Sequence, residues 1–274
     1  MIKQLTGLAV AWLALAGMQP PPAAPPPLQM WRLDCGTVQV GNLDLFSDAF
    51  LYAGQRKTLT DSCYLIRHGE NYLLWDTGLP GELAGKTVPM GDMTLTVTRT
   101  VADQLRQIGV APDQVNFVGI SHRHEDHIGQ AADFRKATLL IGSEDFEAIR
   151  KGDSARRLAP WIDGGSRAER IDGDHDVFGD GSVVMLFMPG HTEGHHSLLV
   201  RLPKLGPVLL TGDLWHFTEN VGNRGVPSFN TNRADTLASM DRFDAIARKL
   251  KAKVVIQHEP ADIAKLPPFP QAAQ

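Results

Sequence analysis

Short apolar and β-branched stretches, each bounded by turn-forming residues, occupy the first part of the chain. Residues 38–45, 62–67 and 72–76 have this pattern, which is typical of β-strands. Residues 68–71 (HGEN) separate the second stretch from the third, and we expect them to form a hairpin loop. The pattern therefore predicts that the domain begins with antiparallel strands.

The pattern changes to alternating helices and strands after residue 100. Thr100 and Asp103 are placed to cap a helix over residues 101–108, Gly109 ends it, and an apolar strand over residues 115–120 follows. Apolar runs predict further strands at residues 138–141, 182–188, 197–202, 208–210 and 254–257.

A final helix is predicted over residues 234–251. Its apolar side chains recur at helical spacing and form one stripe: Leu237, Met240, Phe243, Ala247 and Leu250. Antiparallel strands followed by alternating strands and helices fit an α/β fold with two mixed sheets and helices outside them. We expect this fold to be a single domain over residues 28–274.

The amino-terminal residues have the pattern of an export signal. The apolar run over residues 5–16 would span about 18 Å as a helix, which is short of the roughly 30 Å hydrocarbon core. An Ala-x-Ala pattern ends at Ala16, so residues 1–16 are predicted to be a signal peptide and residues 17–27 a proline-rich spacer. The alternative, a buried amino-terminal helix, fits poorly because polyproline follows directly. We therefore expect a periplasmic or secreted protein without a stable membrane anchor.

Composition narrows the classes of function. The 27 Lys and Arg residues against 31 Asp and Glu residues give a net charge of −4, with no basic block. This charge argues against binding to nucleic acid or to anionic lipid as the main activity. Two cysteines, Cys35 and Cys63, are too few for a disulfide-built scaffold or a cysteine zinc finger. They could pair in an oxidising compartment, and the sequence leaves this open.

A cluster of metal-ligating residue types follows the predicted strand over residues 115–120. Residues 121–129 read SHRHEDHIG, which places His122, His124, Asp126 and His127 within six positions. The two-residue spacing of His122 and His124 directs both side chains to one side of an extended chain. Because Asp126 and His127 lie where the chain turns, they favour a second metal beside the first. The spacing differs from the helical zinc motif, whose histidines are four residues apart.

Three more candidate ligands follow apolar runs farther along the chain: His191, Asp213 and His258. Loops at strand ends converge in open α/β sheets, so these residues can complete the site. We expect His191 to join His122 and His124, His258 to join Asp126 and His127, and Asp213 to bridge the two groups. Nitrogen and oxygen donors without a thiolate favour two zinc ions, although Mn²⁺, Fe²⁺ or Co²⁺ would also fit.

These motifs resemble the metallo-β-lactamase superfamily. The similarity rests on SHRHEDHIG, on PGHTEGH at residues 189–195, on TGD at residues 211–213 and on the final histidine. It implies an αββα sandwich over nearly the whole mature chain. Asp76, in the DTG of residues 76–78, resembles the aspartate that supports the metal loop in that superfamily, although a plain strand-end turn is equally compatible.

Within the superfamily, Asp213 and the closing QHEPADIAKLPPFP are similar to N-acyl-homoserine lactonases. The resemblance implies a small lactone substrate whose ring is opened by a hydroxide shared between two metals, with Asp126 transferring its proton. Many such lactonases have a tyrosine three residues after the bridging aspartate, where this chain has His216. His216 is therefore a candidate catalytic residue whose role the sequence leaves open. Lactonases of this family include dimers, so a homodimer is also open.

Other residues admit two interpretations each. His195 or His196 could support a metal ligand by hydrogen bonding, whereas His68 and His175 resemble turn histidines. The insertion-like residues 81–98 could form a lid over the site or a plain hairpin. Four aromatic residues could line a pocket for an acyl tail or belong to the core: Trp161, Trp215, Phe217 and Phe229.

Three competing functions use the same ligand set. The first is a periplasmic β-lactamase, alone or with lactonase activity, but metallo-β-lactamases proper generally lack the aspartate bridge. The second is a glyoxalase II-like thioesterase, which would normally carry an additional helical region after the metal domain. The third is an exported metal-binding protein without catalysis, which an open position between paired metals disfavours.

Overall fold

The structure is a computed structural model that describes residues 27–274. The predicted signal peptide and almost all of the spacer lie outside the described residues. Within residues 27–274, no helix combines the length and the apolar character needed to cross a membrane. Two β-sheets pack face to face, and helices cover their outer faces.

The larger sheet contains eight strands. In chain order they are β1 (Leu28–Val40), β2 (Lys57–His68), β3 (Asn71–Trp75), β4 (Lys86–Met90), β5 (Met93–Val97), β6 (Phe117–Gly119), β7 (Thr138–Gly142) and β8 (Ala168–Ile171). Their spatial order is β4-β5-β1-β2-β3-β6-β7-β8. The strands from β4 to β3 pair antiparallel, and those from β3 to β8 pair parallel. The sheet is therefore mixed, as predicted.

The smaller sheet contains five strands. They are β9 (His175–Asp176), β10 (Val183–Phe187), β11 (His196–Leu202), β12 (Gly206–Leu210) and β13 (Lys253–Val255), in the spatial order β13-β12-β11-β10-β9. Only β12 and β13 pair parallel. The six α-helices in the described residues are α1 (Val101–Gln107), α2 (Glu125–Ile128), α3 (Ser143–Lys151), α4 (Ala159–Ile162), α5 (Thr218–Asn223) and α6 (Arg233–Leu250).

Both faces of the central strands are buried, which explains their continuous apolar runs. Leu73 of β3 packs between the sheets against β10–β12, whereas its neighbour Leu74 faces the helical layer that contains α1 and α3. On the other side of the molecule, Met240 and Phe243 of α6 pack against the outer face of the smaller sheet. These layers form the αββα sandwich that the sequence predicted.

Most predicted elements are present within a few residues of their predicted bounds, including the hairpin between β2 and β3 and the helix capped by Thr100. The strand predicted over residues 38–45 is wrong in its bounds. Strand β1 runs from Leu28 to Val40, and the chain then forms a short 3-10 helix, Leu43–Phe46, capped by the Asn42 side chain. The Asn42 cap stops the strand, because its side chain accepts from the Asp44 N–H and turns the chain.

Cys35 and Cys63 form a disulfide between β1 and β2. The bond is buried and lies at a bulge of β1, where the register with β2 shifts between Asp34 and Gly36. It also contacts the loop after β3, because a Cβ atom on Gly78 would lie 2.5 Å from the Cys35 Cβ. The question that the sequence left open is thereby answered: the two cysteines are paired.

Candidate metal centre

Loops that follow four strands of the two sheets meet at one edge of the sandwich. His122 and His124 follow β6, and Asp126 and His127 occupy the first turn of α2. The other three predicted ligands follow β10, β12 and β13, respectively: His191, Asp213 and His258. All seven predicted ligands therefore lie at this edge, and their donor atoms form two neighbouring groups.

The first group contains three histidine rings and Asp213. The Nε2 atom of His191 lies 3.1 Å from Nε2 of His122 and 3.0 Å from Nδ1 of His124. Nε2 of His122 also lies 3.0 Å from Nδ1 of His124. Three ring nitrogens thus converge on one point, as in a three-histidine metal site.

The second group contains Asp126, His127 and His258. Nε2 of His127 lies 3.4 Å from Nε2 of His258, and the Asp126 carboxylate oxygens lie 3.8 and 3.9 Å from these two nitrogens. These three donors could hold a second cation.

The Asp213 carboxylate lies between the two groups. Its Oδ2 atom lies 3.3 Å from Nε2 of His191 and 3.5 Å from Nε2 of His122. Its Oδ1 atom lies 3.0 Å from Nε2 of His258 and 3.3 Å from Nε2 of His127. Each oxygen faces one group, which is the arrangement that a bridging ligand requires.

Acceptors outside the two groups fix the orientation of the rings. His191 directs Nδ1 at the Asn230 side-chain oxygen (2.8 Å), and His258 directs Nδ1 at the Thr60 carbonyl (2.9 Å). A neutral ring that donates through Nδ1 presents a lone pair at Nε2, which is the form that binds a metal. Partners of this kind typically orient metal-binding histidines.

Asp76 supports the metal loop. Its Oδ2 atom lies 3.0 Å from Nδ1 of His127 and accepts from the side-chain amide of Gln257, while its Oδ1 atom accepts from the Ser121 N–H (2.7 Å). The residue is fully buried and has a positive φ of 57°. These contacts distinguish the two interpretations of Asp76, since a plain turn residue would not join three parts of the site.

His195 supports Asp213. Its Nδ1 donates to the Met188 carbonyl and its Nε2 accepts from the Asp213 N–H (2.9 Å). The close approach requires glycine at position 212, where φ is +56° and a Cβ would lie 2.6 Å from His195 Nε2. His196 instead contacts backbone carbonyls away from the ligand groups. Of the two histidines, His195 is the one that contacts a predicted ligand.

The donor groups fit cations. Three ring nitrogens lie 3.0–3.1 Å from one another in the first group, and the buried Oδ1 of Asp213 accepts no hydrogen bond of good geometry. Burial lowers the pKa of His122 well below its usual range and that of His124 to about 3, which keeps these rings neutral. Burial opposes protonation of His258 too, but the Asp213 carboxylate outweighs it and raises the pKa of His258 to about 9. Positive charge is thus stabilised beside Asp213, as a bound cation would require.

His216 lies beside the ligand groups and outside them. Its Nε2 is 3.0 Å from Oδ2 of Asp213, its ring stacks on that of His258, and its Nδ1 is buried without a hydrogen-bond partner. Burial lowers the pKa of His216 to about 4, so the ring is neutral. The imidazole thus lies at the floor of the cavity as a neutral ring, with Nε2 directed at Asp213.

A cavity of about 740 Å³ opens over the two groups. Its floor includes His124, Asp126, Asp213, His216 and His258, and its walls are almost entirely apolar. The wall residues come from β1, β2, the β4–β5 hairpin and the segments around Phe46 and Phe229, and they include Val38, Leu59, Val88, Pro89, Met90, Met93 and Leu95. A substrate with a polar head and an apolar tail fits this division.

Residues 81–98 form both a hairpin and a wall of the cavity. Strands β4 and β5 extend the edge of the larger sheet, and side chains of both strands face the cavity. Of the four aromatic residues proposed for a tail pocket, Phe229 lines the cavity, whereas Trp161, Trp215 and Phe217 are buried in the core. Their nearly complete burial explains the difference: Trp161 and Trp215 pack into clusters away from the cavity, and Phe217 packs behind the cavity wall, against Phe46.

Sequence reasoning missed two residues that contact the site. Asn230 contacts the ligand His191 but belongs to no motif, and Gln257 contacts Asp76 but was given no role although it begins the segment QHEPADIAKLPPFP. His68 and His175, predicted as turn histidines, lie in strands instead: His68 ends β2 beside Asp180, and His175 of β9 pairs with Met185 of β10. Only Gln257 carried a usable signal, because it directly precedes His258.

Comparison with known proteins identifies relatives. Residues 58–258 match the model of the metallo-beta-lactamase superfamily. The N-acyl homoserine lactonase AttM of Azorhizobium caulinodans is 30% identical over 221 residues, covering 72% of this chain and 81% of that protein. An N-acyl homoserine lactonase of a Bacillus species is 30% identical over 217 residues, covering 76% and 85%.

Solved structures show the same fold. A quorum-quenching N-acyl homoserine lactone hydrolase superposes with a TM-score of 0.78 at 24% identity, covering 91% of this chain and 99% of that one. The dizinc quorum-quenching lactonase AidC, bound to a homoserine product, superposes with a TM-score of 0.65 at 18% identity, covering 91% and 90%. The chain has a dinuclear His/Asp site of the kind that metal-dependent hydrolases use, and its relatives at about 30% identity are lactonases. This chain belongs to the metallo-β-lactamase superfamily.

Proposed function

We propose that the protein is a dinuclear metal-dependent lactonase that opens the ring of N-acyl-homoserine lactones. The observation that carries the proposal is the position of the Asp213 carboxylate, with one oxygen facing each ligand group at the floor of an apolar cavity. The lactonase relatives support the substrate class. An apolar wall suits an acyl tail, and the polar floor suits a lactone ring.

Two divalent ions bound by the two groups would supply a nucleophilic water at neutral pH and polarise the substrate carbonyl. The residues of the chain then have separate tasks. Asp126, a member of the second group, lines the cavity, where its carboxylate can accept a proton and return it to the leaving alkoxide. His216 lies at the cavity floor beside Asp213, where its neutral ring can contact the substrate and help to orient it. Zinc is the proposed metal, since nitrogen and carboxylate donors suit it.

We further propose that the protein acts in the periplasm or outside the cell. The buried Cys35–Cys63 disulfide supports this location, because disulfides persist mainly in oxidising compartments. Detection of the protein in a periplasmic extract, with its amino terminus cleaved after Ala16, would test the location.

Side-by-side hydrolysis assays test the activity. The purified protein, loaded with zinc and with its metal content measured, is given N-acyl-homoserine lactones of several tail lengths, a carbapenem and S-lactoylglutathione. We expect two zinc ions per chain and rapid opening of the lactone, with slow or no turnover of the other two. Rapid carbapenem hydrolysis with an inert lactone would identify a β-lactamase, and thioester hydrolysis alone would identify a glyoxalase II-like enzyme.

Replacement of Asp126 tests the proton-transfer role. Asp126→Asn keeps the shape and one oxygen donor, so partial metal binding should persist while kcat falls far more than KM rises. Metal analysis and steady-state kinetics on one lactone measure both. Normal kcat with two ions bound would contradict the assignment.

A further inference from the structure

A buried carboxylate outside the ligand groups contacts the two loops that carry the three-histidine group. Asp145 lies in the first turn of α3 and is fully buried. Its Oδ1 accepts from Nη1 of Arg123 (2.8 Å), and its Oδ2 accepts from the Thr192 hydroxyl (2.6 Å). Neither contact belongs to the regular hydrogen bonding of a helix or sheet.

Both partners of Asp145 are next to predicted metal ligands in the sequence. Arg123 stands between the ligands His122 and His124, so its side chain anchors the loop after β6. Thr192 directly follows the ligand His191 and is fully buried. One carboxylate therefore ties together two loops that are 69 residues apart and that supply all three rings of the first group.

The backbone around Asp145 fixes its position against the second loop. The N–H of Gly194 lies 3.3 Å from Oδ1 of Asp145. At the start of α3, a Cβ on Gly142 would lie 2.2 Å from the Gly194 carbonyl oxygen, so only glycine allows this contact. The amino-terminal end of α3 thus packs directly on the loop that carries His191 and His195.

We infer that Asp145 is a positioning residue for the three-histidine group, because it holds the loops of His122, His124 and His191 at the spacing that one metal ion needs. The inference rests on the proposed metal binding of these groups, and it is independent of the substrate. Asp145 does not line the cavity, so it acts through Arg123 and Thr192. Loss of an outer contact of this kind typically lowers metal affinity about 10- to 100-fold.

Zinc affinity measured by competition with a chromophoric chelator tests the inference. Asp145→Ala removes both contacts, and Asp145→Asn keeps the shape without the charge. We expect two tightly bound zinc ions in the unaltered protein, and a loss of about 10- to 100-fold in affinity for one ion in Asp145→Ala. Asp145→Asn should show a smaller loss in the same direction. Glu144→Gln is the matched control, since Glu144 is the exposed neighbour on the same helix and has no side-chain partner among the described contacts.

Melting of the metal-free and zinc-loaded forms separates positioning from general stability. A positioning role predicts that the rise in Tm caused by zinc shrinks in Asp145→Ala. Zinc affinity and a zinc-induced rise equal to those of Glu144→Gln would overturn the inference, even if the metal-free protein melts at a lower temperature. If Asp145→Ala does not fold, Asp145→Asn decides by the same two measurements. Because neither readout uses a lactone, failure of the proposed activity would leave this test unaffected.

Discussion

The two walls of the cavity are built in different ways. The metal wall consists of polar side chains on loops from both sheets, and its rings are oriented by outer acceptors such as Asn230 and Thr60. The opposite wall consists of apolar side chains of one sheet edge, including Val88, Met93 and Leu95, which contact one another without directional bonds.

This difference separates chemistry from substrate selection. A change of one residue in the metal wall disturbs several fixed distances, because a residue such as Asp213 contacts both ligand groups. A change in the apolar wall alters volume and contact area and leaves those distances intact. We therefore expect substitutions in the first wall to affect every substrate, and substitutions in the second to affect substrates according to their tails.

The largest effect is expected from Asp213→Ala. The substitution removes the only carboxylate that faces both groups in the described residues, so both ions should bind weakly. Turnover should fall by more than about 10³-fold, beyond the roughly 10- to 100-fold typical of an outer contact. Metal analysis and lactone kinetics measure the two losses, which should not depend on tail length. Turnover within tenfold of normal would show that Asp213 does not bridge.

The disulfide connects the two walls, since Cys35 lies in β1 beside β5 and contacts Gly78 of the loop that follows Asp76. Cys35 and Cys63 are 28 residues apart in sequence, so their bond limits the unfolded chain and should contribute about 3–4 kcal/mol of stability. The double substitution Cys35→Ala/Cys63→Ala should lower the free energy of unfolding by about that amount. Chemical denaturation measures it, with dithiothreitol-treated unaltered protein as the comparison. Equal midpoints would mean that the bond adds little.

A selective effect is expected from Met93→Ala in the apolar wall. Loss of this side chain should raise KM for long-tailed lactones by about tenfold, since small apolar groups in a pocket contribute roughly 1–3 kcal/mol. Short-tailed lactones should be nearly unaffected. Thr94→Ala is the matched control because the next residue of a strand faces the opposite side. An equal loss for all tail lengths would show that the hairpin supports the metal wall as well.

The smallest effect is expected at the base of the hairpin. Hydrogen bonds from Arg157 hold the pKa of Glu82 at about 2, and Arg157 also bonds to Glu125 beside the ligand Asp126. A carboxylate with a pKa lowered by folding adds stability above its unfolded value and loses it as the pH falls toward about 2.

Because the Glu82 side chain is 55% exposed, Glu82→Gln should cost less than about 1 kcal/mol at pH 7. The difference from the unaltered protein should shrink below pH 4.5, as urea unfolding at several pH values would show. A difference that grows in acid would contradict the sign of the effect.

The sequence predicted the metal ligands best where they lie close together along the chain. His122, His124, Asp126 and His127 lie within six residues after an apolar strand, and strand ends bring distant ligands such as His258 to the same edge. The alternation of strands and helices likewise predicted the αββα layers. These features depend on residues that are close in sequence or on the general geometry of sheets.

The remaining features depend on contacts between distant segments. Asp145 acts on Thr192, 47 residues away, and nothing near it in the sequence marks that role. Trp161 can be buried in the core because its indole N–H donates a hydrogen bond to the Ala137 carbonyl. Amino-acid composition does not predict this hydrogen bond. The β4–β5 hairpin was ambiguous for the same reason, since its place beside the cavity depends on pairing with the distant strand β1.

The exposed edge of the larger sheet bears on self-association. Among the strands of residues 27–274, β4 pairs only with β5, so its outer side offers backbone groups to a further strand from another copy of the chain. Natural edge strands resist such pairing by being short and by carrying lysine or proline. Strand β4 is short, with five mostly exposed residues, and it contains both a lysine, Lys86, and a proline, Pro89. Backbone pairing of two copies of the chain along β4 is therefore disfavoured.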